Sequence, residues 1–254
     1  MNNKTKVLLV IIGCVGLLGL FSVSTNFSDV DAIVANYRTT MDGSYYRQLL
    51  GQWSKAEQVI QPSKSQEDSD TKASLPLNGE LVYGPGGMHI PLYLQHGNQP
   101  WSDTRFGNGT VAQKGCGPTS MAMILTYMTD ETITPSDLIA WCGPTKYYLS
   151  GVGVTHSLFS DAASHWGFKC TALGKNTNAM VAALGRGEPV IVSVKAGLFT
   201  TGGHIMVLRG LTEDGKILVN NPSDTKAKGH LNMSFTKEVI ARESKAYWSF
   251  QKGK

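Results

Sequence analysis

Cys116 lies in Gly115-Cys116-Gly117-Pro118-Thr119-Ser120, directly before the apolar run from Met121 to Met128. Proline is tolerated in a first helical turn, glycine lets another backbone pass close, and a run that is apolar on every side belongs inside a core. The pattern predicts a buried helix with the cysteine at its first turn. There the free N–H groups and the positive end of the macrodipole favour thiolate over thiol, and the thiolate is the nucleophile. By itself such a cysteine is more simply a small packing residue. Its chemistry depends on what else the chain supplies.

A cysteine nucleophile needs a base within hydrogen-bond reach and a third group that fixes the imidazole tautomer. Of six histidines, His204 stands out. Gly202-Gly203 before it opens space for a ligand, and the apolar run Ile205-Met206-Val207-Leu208 after it predicts a strand that would hold the ring rigidly. His165 reads as a surface or packing residue, and His156 lies at a helix start, where a protonated ring opposes the dipole. His89, His96 and His230 lie in or beside turn-rich, polar segments. The strand after His204 turns at Glu213-Asp214-Gly215, a hairpin signal, and returns to Asn220-Asn221-Pro222. A side-chain amide arriving there can accept the imidazole N–H. A strict two-residue turn at Asp214-Gly215 would set Thr225 opposite His204, whereas a bulged loop beginning at Thr212 brings Asn221 closer. Gln95 and Gln99, in the loop before the cysteine, are candidate oxyanion donors beside the Cys116 backbone N–H.

The elements that must position these residues follow from periodicity and punctuation. Leu81-Val82-Tyr83 and Ile90 to Leu94 are short strand-like runs around Gly84-Pro85-Gly86-Gly87. After the cysteine helix, Thr134-Pro135-Ser136-Asp137 starts a second helix running to about Trp141; a third covers His156 to Trp166 and a fourth Asn178 to Arg186. The pattern then changes period. Residues 189–194, 204–208, 216–219 and 246–250 read as strands. Helices first and a mostly antiparallel sheet afterwards define an α+β domain.

Ahead of that domain the chain divides into three pieces. Lys4 and Lys6 precede an uncharged run from Val7 to Val23, about long enough to span a bilayer. Asp29 and Asp31 follow it, so the positive-inside rule places the remainder outside the cytoplasm. Residues 1–24 read as a single-pass anchor or a signal segment, with Ser22-Val23-Ser24 offering small residues for cleavage. The expected location is the cell membrane with an extracytoplasmic domain, or secretion if the segment is removed. Residues 25–61 are loosely helical and membrane-proximal. Residues 62–80, rich in Ser, Lys, Glu and Asp, cannot bury enough surface to offset ordering and read as a flexible linker. The compact domain is expected over 81–254.

Outside the membrane segment remain Cys116, Cys142 and Cys170, an odd number for an oxidising compartment. The economical arrangement is Cys142 bridged to Cys170 with Cys116 free. The net charge of +4 and the absence of a run of five basic residues give no footprint for nucleic acid. No close Cys/His pair has ligand spacing, so neither metal nor other cofactor is expected.

Taken together, Ile90 to Gln95, Trp101, Gly115 to Ala122, Gly202-Gly203-His204 and Leu218-Val219-Asn220-Asn221-Pro222 occur in the order seen in papain-like cysteine peptidases. They most closely resemble stand-alone relatives of the bacteriocin-leader-processing, or double-glycine, peptidases, over about Tyr83 to Phe250. The resemblance implies Cys116 as nucleophile, His204 as general base and acid, Asn221 as orienting residue and Gln95 as oxyanion donor. The family usually carries Asp where Asn221 stands. The loop between Gln95 and Trp101 looks one or two residues long for the family, which keeps Gln99 as the alternative donor. No ATP-binding cassette follows. The expected activity is hydrolysis of peptide bonds in a peptide or protein substrate. Two other readings stay open: amide cleavage in cell-wall peptides, suggested by the surface location, and a catalytically silent peptide-binding module, suggested by Asn221 in place of Asp.

Overall fold

The computed structural model describes residues 72–253. The predicted anchor, the membrane-proximal segment and most of the linker lie outside that range. Among the described residues no helix is long and apolar enough to cross a membrane.

A two-stranded hairpin, β1 (Val82–Tyr83) and β2 (Pro91–Leu92), opens the domain, followed by a second, β3 (Arg105–Phe106) and β4 (Gly109–Thr110). Next come the one-turn α1 (Val111–Lys114), the central α2 (Cys116–Thr129) and α3 (Pro135–Cys142). A third hairpin, β5 (Tyr148–Leu149) and β6 (Gly153–Val154), leads to α4 (Ser157–His165), β7 (Phe168–Gly174) and α5 (Thr177–Gly185). The chain finishes with β8 (Val190–Val194), β9 (His204–Leu211), β10 (Ile217–Asn220), a 3-10 turn (His230–Asn232), β11 (Ser234–Phe235), α6 (Lys237–Glu243) and β12 (Ser244–Lys252).

Six strands form one sheet in the order β11-β10-β9-β8-β12-β7, every neighbouring pair antiparallel. Helices cover both faces. Ile191, Ile205 and Val207 join the core made with α2, α3 and α4, while Val190, Val192, Met206 and Leu208 pack with Met180, Ala183 and Leu184 of α5 and Ile240 of α6. Burial on two faces is why β8 and β9 read as continuous apolar runs and not as alternating ones. The antiparallel sheet packed between helices is the expected α+β architecture. Among the elements not foreseen are β7, an edge strand whose exposures alternate, and α6, begun by Thr236 accepting the Val239 N–H.

Helix starts follow local capping chemistry. Thr134 caps α3, its hydroxyl taking the Asp137 N–H while Asp137 returns a bond to the Thr134 N–H. In α5 the capping side chain is Asn176, which accepts the Ala179 N–H. The last residues of the expected linker are docked. Ala73 exchanges hydrogen bonds with the Asn232 side chain, and Gln99 binds Pro76 O through Nε2 and Gly79 N–H through Oε1. These residues are held by partners far along the chain. The same contacts commit Gln99 to holding this segment.

Arg209, fully buried in β9, ties the opening hairpin to the sheet. Its guanidinium donates to the carbonyls of Pro85, Gly86 and Leu231, acceptors without charge, and burial lowers it to about 10, still cationic at neutral pH. Gly84 and Gly87 must stay glycine for this fit: a Cβ would stand 2.6 Å from Arg209 Nη2 and 2.8 Å from Arg209 O, respectively. Replacing Arg209 by Met would fill the space but leave the three carbonyls without a donor. We expect R209M to lower the unfolding free energy by about 3 kcal/mol, read from urea denaturation.

Candidate active site

α2 begins at Cys116 itself, and its residues from Gly117 to Thr126 are all buried. Two glycines make the start possible. A Cβ at Gly115 would lie 2.6 Å from Val111 O, and one at Gly117 would lie 2.4 Å from Val154 Cγ1, so α1 and β6 can crowd the cysteine only because neither residue has a side chain. One turn further, the Ser120 hydroxyl donates to Ile205 O at 3.2 Å, locking the helix to the first residues of β9. The Cys116 sulfur faces the backbone N–H of Ile205, the neighbour of His204, together with the N–H groups of Gly117 and Cys116.

His204 opens β9 and is 6% exposed. Its Nε2 lies 2.8 Å from Asn221 Oδ1. The polarity of that contact is fixed by a neighbour: the Ser223 backbone N–H, which can only donate, also reaches Asn221 Oδ1 at 2.8 Å. Oδ1 is therefore the oxygen, His204 carries its proton on Nε2, and Nδ1 is left with a free lone pair. Asn221, and not Thr225, reaches the imidazole because the turn is not the strict two-residue one. β9 and β10 are joined by a loop over Thr212–Lys216, closed by Thr212 N–H to Lys216 O, and the register slips once more at a bulge beside Gly210. This is the bulged alternative read from the sequence.

Charge at the site runs against one expectation. Crowding by protein pushes the Cys116 thiol up, and the backbone N–H groups of Ile205, Gly117 and Cys116 offset this only partly. Burial likewise holds the His204 imidazole down to about 4, although the bond to Asn221 favours the cation. Desolvation thus outweighs the helix start, and burial opposes charge on either group.

Gln95 joins this group. Its backbone N–H donates to Pro222 O at 2.9 Å, its Nε2 to Ala112 O at 3.1 Å just before the cysteine helix, and its buried Oε1 has no protein partner. The Trp101 indole donates to Leu94 O at 2.7 Å and pins the loop between them. Gln99 is turned away, committed to Pro76 and Gly79.

The other histidines separate clearly. His89 stacks on Tyr83 at 3.6 Å, His165 lies between Trp141 and Trp166, and His156 packs on Trp248. His230 differs from its sequence reading. It is 3% exposed and its Nδ1 lies 2.9 Å from Asn221 Nδ2. Nothing in a polar, lysine-flanked loop announces this; Asn221-Pro222-Ser223 signals only the Asx turn. The expected Cys142–Cys170 bridge is absent, and Cys116, Cys142 and Cys170 are all free. Cys142 donates to Gly143 O at the end of its own helix, and burial pushes both thiols up, Cys170 to about 12, so each packs as a protonated, nearly apolar group. Among the described residues no cluster of three His, Cys, Asp or Glu could hold a metal ion.

Helices and antiparallel sheet in this arrangement are those of a papain-like cysteine peptidase. A family model described as "Peptidase_C39 like family" matches residues 88–252, more than half of the chain, and the chain belongs to that family. It is a cysteine peptidase. No curated protein matches it. Among solved structures it is similar to a C39-like peptidase from Bacillus anthracis, with 16% identity over 65% of this chain and 96% of that one, TM-score 0.45. It is also similar to the peptidase domain of Streptococcus ComA, a bifunctional ABC transporter involved in quorum sensing, with 18% identity over 55% and 90%, TM-score 0.41. A third likeness is to a double glycine motif protease from an AMS/PCAT transporter in complex with its leader peptide, with 17% identity over 66% and 95%, TM-score 0.43.

The depressed basicity of His204 makes a prediction for stability. Between its ordinary 6.5 and about 4, the unfolded chain binds a proton at His204 that the folded chain does not. Stability present above 6.5 is therefore lost as pH falls through this window, by about 3 kcal/mol at pH 4. Urea denaturation at pH 7 and pH 4 should show that loss in the unmodified chain and a loss smaller by that amount in His204→Asn.

Proposed function

We propose that the chain is a membrane-anchored, extracytoplasmic peptidase that hydrolyses peptide bonds through Cys116, His204 and Asn221, with Gln95 as oxyanion donor. The observation that carries this reading is the His204–Asn221 bond. It leaves Nδ1 of His204 as a free acceptor on the residue next to Ile205, whose backbone N–H faces the Cys116 sulfur, while Asn221 Oδ1 is placed to steady the imidazolium once it forms. In the reaction His204 Nδ1 takes the thiol proton as sulfur attacks the scissile carbonyl carbon. The C–O electrons move onto oxygen, which the Cys116 N–H and a Gln95 Nε2 hydrogen stabilise. The imidazolium gives its proton to the departing amine, a thioester remains, and water activated by His204 releases the acid.

A neutral resting pair shapes this sequence. A buried imidazole is a weak acceptor for a thiol proton but, once charged, a strong donor to the leaving nitrogen. Proton transfer therefore accompanies attack and does not precede it, and stabilisation of the oxyanion has to supply the driving force. The acid limb of the rate profile follows His204 and belongs near 4.

Peptides with a double-glycine leader are the first substrates to try, on the family resemblance; muropeptides from purified walls are the control. Cys116→Ala should abolish cleavage scored by mass spectrometry, and cleavage at the unmodified rate would sink the reading. Gln95→Ala should lower kcat by about 100-fold with a smaller change in KM. Anchoring by residues 7–23 predicts that the chain sediments with membranes and is degraded by protease added to intact cells.

A further inference from the structure

Asn221 is the only member of the His204 network whose two ends are chemically different and nearly the same shape. An amide turned over would present Nδ2 to His204 Nε2, and His204 would then move its proton to Nδ1, the nitrogen that has to accept the thiol proton. A carboxylate has no such wrong orientation. A site that uses Asn where its family usually has Asp therefore needs something to hold the amide.

Two neighbours do so. At the oxygen end, the Ser223 N–H reaches Oδ1 at 2.8 Å. At the nitrogen end, Nδ2 can only donate, and what faces it at 2.9 Å is Nδ1 of His230. His230 Nδ1 is therefore an unprotonated acceptor, and its ring proton sits on Nε2. The ring is itself fixed from several sides. Asp224, fully buried, takes the backbone N–H groups of His230 and Leu231 at 3.1 and 2.8 Å, and the Asp224 N–H returns to Asn221 O at 2.9 Å. Phe199 and Phe235 meet the imidazole edge-on at 5.3 and 5.5 Å. Burial favours the uncharged ring, with Asp224 opposing and Lys228 assisting.

We propose that His230 is a positioning residue: its Nδ1 accepts from Asn221 Nδ2, holds the amide with Oδ1 toward His204, and so keeps His204 in the tautomer whose Nδ1 is free. It acts through Asn221 and does not touch substrate. This deepens the peptidase reading above and rests on it for its catalytic meaning, but the tautomers themselves can be observed whether or not a substrate is known.

The test uses the full-length chain labelled with nitrogen-15 at histidine. At neutral pH the unmodified chain should show His204 and His230 both protonated on Nε2. In His230→Phe, which keeps an aromatic ring but offers no acceptor, His204 should acquire a fraction of the Nδ1-protonated tautomer, and kcat should fall about tenfold with KM little changed. His230→Asn places an amide oxygen near the former Nδ1 and should restore the His204 tautomer and most of kcat. In Asn221→Asp the carboxylate facing His230 should move the His230 proton to Nδ1. The proposal is overturned if His230 is protonated on Nδ1 in the unmodified chain. It is equally overturned if His204 keeps one tautomer and kcat is unchanged in His230→Phe, or if His230→Phe and His230→Asn lose activity alike while both melt as the unmodified chain does. Should His230→Phe not fold, the unmodified chain and His230→Asn decide by the same tautomer readout. A chain that cleaves no peptide yet shows this tautomer pattern would refute the peptidase reading and leave the hydrogen-bond assignment standing.

Discussion

A helix without an exposed face must be surrounded before it is stable, and α2 is such a helix: its residues from Gly117 to Thr126 are buried. Burying it requires the sheet on one side and the short hairpins and α1 around its first turn. That requirement brings Cys116 against the start of β9, where Ser120 bonds to Ile205 O. The approach of Cys116 to the strand that His204 opens is thus a by-product of core packing. The glycines at 115 and 117 are what permit the crowding at the end of the helix that carries the cysteine.

The same packing sets the electrostatics. Helix-terminal N–H groups pull toward thiolate, but the protein packed around Cys116 and His204 removes the water that would stabilise either charge, and the second effect is larger. The result is a site in which burial opposes charge on both groups. An amide at 221 suits such a site. It offers its oxygen to the His204 ring without bringing a full negative charge into a buried place. Its cost is an orientation that must be enforced, here by Ser223 and, on the inference above, by His230.

Loops carry more of the order than their composition suggests. Arg209 gathers three carbonyls from the opening turn and the 3-10 turn, Gln99 fastens residues 76–79, and Asp224 organises the turn after Asn221. These bonds join residues separated by 6 to 124 positions, most of them beyond any local window.

Read alone, the sequence determined the α+β class, the cysteine at the start of a core helix and the histidine opening a strand that returns through a hairpin. Those follow from periodicity, from glycine and proline punctuation and from side-chain chemistry, all of which act locally. Tertiary structure decided between Asn221 and Thr225, because register depends on a loop and a bulge that the turn residues alone leave open. It also committed Gln99 to Pro76 and Gly79, set Gln95 against Ala112, left Cys142 and Cys170 unbridged, and brought His230 from a polar loop into the core. Burial pushes the Cys116 thiol up, against the direction expected of a helix start. Burial and the closure of distant segments are properties of the packed chain, and no stretch of residues carries them before the chain folds.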